Sequence, residues 1–156
     1  MTDLNTSKLK LGFELLWWVL TLIILVVVLL PVYFSTIGYP FWNTNIIFII
    51  SFITLTRYIF LLKHTFLARQ QLIKVILFFL CFPFAFYLIQ EINSFQTFLD
   101  EEGATAIVGN IPNAANMMIY VRSELLLFGV GSIIASLIFP FRIILSVWRN
   151  RNTGAA

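Results

Sequence analysis

EINSFQTFLDEEGATAIVGNIPNAANMMIYVRSE, residues 91–124, is the one long stretch of this chain that is too polar for lipid and too long for a simple turn. Its edges repeat the apolar spacing of a helix. Leu88, Ile92, Phe95 and Leu99 recur at intervals of four, three and four, and Ala114, Met118, Val121 and Leu125 do the same on the other side. This is the seam expected if two membrane helices continue past the bilayer and pack on each other. Gly103 suits the stop of the first, Pro112 an early residue of the second, and only about 103–111 need be irregular. The expectation is an outward helical hairpin, or a pair of helices lying flat on the interface. Its loop ATAIVGNIPN, residues 104–113, is apolar enough to touch a surface.

What flanks the stretch sets the class. Of 156 residues, 60% are hydrophobic and 11% charged, and the mean hydropathy of +0.95 is far above that of a soluble domain. Runs of about 20 apolar residues cross a hydrocarbon layer roughly 30 Å thick, and they cross it as helices because lipid cannot hydrogen-bond a backbone. Four such runs occur, at about 11–33, 44–62, 71–90 and 124–147. The expected fold is all-α: a polytopic membrane protein of four transmembrane helices in a single domain covering 1–156. The first run is too long for the apolar part of a signal peptide and reads as an uncleaved span. Asn43 or Thr44 is a plausible cap for the second, Pro83 a bend in the third, and the tail at 149–156 is expected to be disordered.

Charge orients the bundle. Alternating sides along four spans places Lys8, Lys10, Arg57, Lys63, Arg69, Lys74, Arg142, Arg149 and Arg151 toward one face and leaves one of the ten basic residues, Arg122, on the other. By the positive-inside rule both termini face the cytoplasm and the 91–123 excursion faces outward. A bacterial inner membrane fits the small size and plain layout. Trp17, Trp18 and Trp148 near the inner interface, and Trp42 near the outer one, read as aromatic-belt anchors. The net charge of +3 borders membrane spans, so it points to anionic lipid rather than to nucleic acid.

Ionisable groups inside a span are the default suspects for function, since burying a charge in hydrocarbon costs about 2.5–3.5 kcal/mol even on the lenient insertion scale. Glu14, Arg57 and Arg142 qualify, at comparable depth in the inner leaflet. Gly131 and Ala135 lie on the Arg142 face, eleven and seven residues before it, and Ser132 and Ser136 continue a strip of small residues suited to close helix packing. Arg142 is therefore expected to point into the protein and pair with Glu14, with Arg57 nearby. Such a pair more often fixes helix register than moves a substrate.

On the outward side, Asp100, Glu101 and Glu102 oppose the dipole of any helix that ends at Gly103, at about 0.3–1 kcal/mol each. Either that helix stops earlier or the acids meet a partner, which makes them the candidate docking residues. They lack the alternating spacing and glycine of a calcium loop. One cysteine and one histidine leave no disulfide and no histidine-rich metal cluster. The phosphate loop, zinc helix, nucleophile elbow and paired-cysteine motif are all missing, so no catalytic residue, metal or cofactor is assigned.

Two classes remain: a non-catalytic membrane subunit, scaffold or assembly factor that docks a membrane or extracytoplasmic protein through its outward hairpin, and a small homo-oligomeric transporter using the Glu14/Arg57/Arg142 cluster. The second resembles the small multidrug antiporters in having four spans with a glutamate in the first. The likeness is superficial, because Glu14 sits near the inner edge among Phe13, Leu15 and Leu16 rather than mid-span among small residues.

Overall fold

The computed structural model describes residues 2–36, 38–68, 70–109 and 112–153. Five α-helices make up nearly all of it: α1 Thr2–Ser35, α2 Trp42–Leu61, α3 Gln71–Glu102, α4 Thr105–Val108 and α5 Ala114–Thr153, with two 3-10 turns between α2 and α3. Among the described residues there is no strand, and four helices are long and apolar enough to cross a membrane.

The lengths differ in a way that shapes the molecule. At about 1.5 Å per residue, the 20 residues of α2 match the roughly 30 Å hydrocarbon layer, whereas α3 has 32 residues and α5 has 40. Polar contacts set the levels of these helices. Thr44 and Asn45 near the start of α2 meet Glu91 of α3 and Glu124 of α5, and Ile59 near its end meets Arg142. Helices α3 and α5 therefore run on past the start of α2, and the helix of α3 does not stop before its acidic end.

A heptad-like seam holds these two long helices together. Leu88, Ile92 and Phe95 of α3 and Val121, Leu125 and Phe128 of α5 are buried in one core. Phe41, just before α2, covers the extension by meeting Phe95 and Phe98 edge to face at 5.2 and 5.3 Å. Gly103, with φ of 78°, ends α3 and donates its N–H to the Leu99 carbonyl. A side chain there would strain the turn.

Exposure along α3 changes character within one turn. Its exposed residues are almost all apolar up to Ile89, among them Leu72, Phe79, Leu80 and Phe86. From Gln90 onward Asn93, Ser94, Gln96, Thr97, Asp100, Glu101 and Glu102 are exposed instead. The α5 helix switches in the opposite order, from exposed Arg122 and Ser123 to exposed Leu127, Val130 and Ile134, with Ile119 the apolar exception.

Three expectations are corrected. Ile107 and Val108 of the apolar loop do not face outward; α4 folds them back into the core at 0% and 1% exposure, where they bury more apolar area than any external surface contact would offer. Asn110 and Ile111 of that loop lie outside the described residues. The tail continues α5 as helix through Thr153, since nothing from Arg149 to Thr153 breaks a helix, and 154–156 lie outside the described residues. Finally, α2 starts at Trp42 with no side-chain cap; Thr44 lies inside the helix, where its hydroxyl donates to Glu91.

Helix α5 packs along both α2 and α3, while α1 touches the rest along one narrow face. Small residues permit the close approach. A Cβ on Gly129 would lie 2.8 Å from the Phe48 ring and 2.9 Å from Ile92, and one on Gly131 would lie 2.7 Å from the Phe52 ring. Phe48 is fully buried whereas Phe52 is half-buried and can swing aside. Gly129→Ala should therefore lower the unfolding free energy in detergent by about 1–3 kcal/mol through overpacking, and Gly131→Ala by clearly less. A Gly129→Ala variant as stable as wild type would contradict this packing.

Candidate functional site

Helix α2 carries a buried stripe at four-residue intervals, Asn45, Ile49, Ile53 and Arg57, with polar groups at both ends and apolar ones between. Two polar clusters follow from it, about 18 Å apart along the helix.

At the end nearer Leu61, the Arg57 Nη2 lies 2.6 Å from Glu14 Oε2, with the two side chains only 6% and 16% exposed. The guanidinium also lies 5.8 Å from the Trp17 ring centroid and 5.5 Å from that of Tyr58. Opposite charge and aromatic faces together hold a cation that lipid could not. Glu14 belongs to the packed face of α1, which continues through Trp17, Thr21, Val28 and Val32. Trp17 thus faces Arg57 rather than serving as a lipid anchor, while Trp18 and Trp148 are exposed.

The expected Glu14–Arg142 pair is corrected here. Arg142 does point into the protein, but its Nε donates to the Ile59 carbonyl at 2.9 Å. That carbonyl lies in the last turn of α2, where a cation complements the helix dipole. The reason is azimuth: the three groups share a depth, but α1 lies beside α2 at this level. Behind Arg142 lies the strip of small residues. Ser132, Ala135 and Ser136 are buried, and the two hydroxyls donate to the Gly129 and Ile133 carbonyls at 2.7 Å.

Lys74, one of the basic residues assigned to the inner face, is fully buried. Its ammonium donates to the Ala68 carbonyl at 2.6 Å and to Ser146 Oγ at 3.0 Å, tying the turn before α3 to α5. Arg69 lies outside the described residues.

The second cluster was not anticipated. Glu124, at the start of the fourth apolar run, is 6% exposed and Asn45 is 0% exposed. Asn45 Nδ2 donates to Glu124 Oε1 and, at 3.1 Å, to the Tyr39 hydroxyl. Beside them Thr44 Oγ1 donates to Glu91 Oε2, and one turn earlier on α5 the Tyr120 hydroxyl donates to the Val28 carbonyl of α1 at 2.9 Å. Burial pushes the Tyr39 phenol well above its ordinary range, so it stays protonated. Two acceptors here, Asn45 Oδ1 and Glu124 Oε2, are buried with no hydrogen-bond partner. The sequence signal was present in the four-residue step from Asn45 to Arg57, which puts the asparagine on the buried face.

Asp100, Glu101 and Glu102 stand exposed in the last turn of α3. They share no cluster with the other candidates. Among the described residues no group of three metal-ligating side chains comes together. Neither protein-family models, nor curated proteins, nor solved structures match this chain.

Chemically, the Glu14–Arg57 pair is self-neutralising and suits a structural tether between α1 and α2. A double-mutant cycle of Glu14→Gln with Arg57→Gln should return a coupling of about 1–3 kcal/mol in unfolding free energy, while Glu14→Gln with Arg142→Gln should add within about 0.5 kcal/mol. The reverse ranking would contradict the pairing.

Proposed function

We propose that this chain is a non-catalytic integral membrane component that holds a helical platform outside the hydrocarbon layer and docks a partner protein on it. The observation that carries the reading is the change of exposed surface near Gln90 and Ser123, beyond which α3 and α5 continue with a packed apolar seam inside and a polar face outside. A face made of Asn93, Ser94, Gln96, Thr97 and the acidic turn suits water rather than lipid. This favours a hairpin that stands clear of the membrane over one lying flat on it. With both termini cytoplasmic, as the basic residues suggest, the platform faces outward from a bacterial inner membrane. Asp100, Glu101 and Glu102 then present carboxylates to a partner with a basic surface. The non-catalytic part of the reading rests on the missing catalytic motifs.

An oligomeric transporter built on the inner cluster has less support. Glu14 and Arg57 neutralise each other, and Phe48, Ile49 and Ile53 fill the interior between the two polar ends of α2. Among the described residues, this face of α2 offers no continuous polar path from one end to the other.

Photo-crosslinking residues placed at Gln96, Thr97 and Glu101 in native membranes test the proposal. The expected product is one heteromeric adduct, sensitive to salt and lost when Asp100, Glu101 and Glu102 are all changed to Lys. Adducts of the chain with itself alone would instead favour the transporter.

A further inference from the structure

We infer that Asn45 and Glu124 form a proton-binding site, in which the Glu124 carboxyl carries its proton on Oε2 and donates it to Asn45 Oδ1. The argument begins with the two acceptors that have no partner. Asn45 Nδ2 already donates to Glu124 Oε1, so half of an acid–amide pair is in place. The atoms left over on the same two side chains are Asn45 Oδ1 and Glu124 Oε2, both buried with no hydrogen-bond partner. An ionised carboxylate has only acceptors to offer. One proton on Oε2 makes it a donor, and Asn45 Oδ1 is the unpartnered acceptor on the residue already bonded to this carboxyl.

The surroundings favour the neutral acid. Tyr39 faces the site from the α1–α2 connection as a protonated phenol that already accepts from Asn45. From α2 come Thr44 and Asn45, both uncharged. Glu91 of α3, held by Thr44, brings a further acidic group and no cation. On α5 the nearest ionisable neighbours are Tyr120 and the exposed Arg122, and α4 contributes the apolar Ile107 and Val108. The packed residues of α1 at this level, Val28, Leu29 and Val32, are apolar. Glu124 thus has no ion-pair partner among the described residues, in contrast to Glu14. A buried carboxylate without a cation is expensive, and protonation removes the charge.

A cleft of about 540 Å³ opens near the site, between the end of α1 and the start of α5, with Ser35, Asn113, Asn116 and Tyr120 in its lining. Tyr120 lies one helical turn from Glu124.

Infrared spectra of the full-length protein in lipid test this directly. At neutral pH a carbonyl stretch of a protonated carboxylic acid is expected in wild type and absent from Glu124→Gln. A spectrum with Glu124 only as carboxylate, as a water bridging the two acceptors would leave it, overturns the proposal. The second readout is stability. Glutamine keeps an acceptor for Asn45 Nδ2 and supplies a donor for Oδ1, so Glu124→Gln should fold as well as wild type, whereas Glu124→Ala should not. Because the native state holds a proton that the unfolded chain releases, wild-type stability should fall as pH rises toward ionisation of the buried acid, and that fall should be absent from Glu124→Gln. Identical pH profiles for the two proteins would also overturn the proposal.

Discussion

Lipid offers a helix no hydrogen bonds, so every polar side chain that enters the bundle must find its partner within the protein. Among the described residues, one helix takes part in most of the polar side-chain contacts between helices. At one end of α2, Thr44 reaches α3 and Asn45 reaches α5; at the other, Arg57 reaches α1 and the Ile59 carbonyl receives Arg142 of α5. All three other spans are thus registered against the shortest one. Since an unpaired polar group in this environment costs several kcal/mol, these contacts select one arrangement from the many that apolar surfaces alone would permit.

Packing completes what the polar contacts register. Gly129 and Gly131 let α5 approach the phenylalanines of α2, and the seam of α3 and α5 carries the core past the level at which α2 begins. Helix α1 is held more lightly, by the Arg57 pair, the Tyr120 hydrogen bond and a narrow apolar face. From Leu11 to Phe34 the rest of its surface is apolar and exposed, as suits a helix ringed by lipid.

The four spans and the long continuations of α3 and α5 were legible because they are one-dimensional signals: run length, and spacing by three and four. The inward turn of Arg142 was also legible, from Gly131 and Ala135 on its face. The partner of Glu14 was not, because depth in a membrane says nothing about which helix lies alongside. Aligning the Glu14, Trp17, Thr21 stripe of α1 with the Asn45 to Arg57 stripe of α2 would have paired those two helices. Glu124 was misjudged for a related reason. Standing at the edge of the fourth apolar run, it was not read as a buried acid, although it sits on the Val121, Leu125, Phe128 side of α5. Ile107 and Val108 look like a sticky loop in sequence and fold inward against the apolar core that α3 and α5 share at this level.

The account turns on α2 as the helix that registers the others, and its sharpest statement is that Arg57, not Arg142, holds Glu14. Solid-state NMR on protein in lipid bilayers, with nitrogen-labelled arginine side chains and carboxyl-carbon-labelled glutamate, measures that proximity directly. Strong dipolar coupling of the Arg57 guanidinium to the Glu14 carboxyl, lost in Glu14→Gln, with none to Arg142, is the predicted result. Coupling of Glu14 to Arg142, with Arg57 uncoupled, would contradict it.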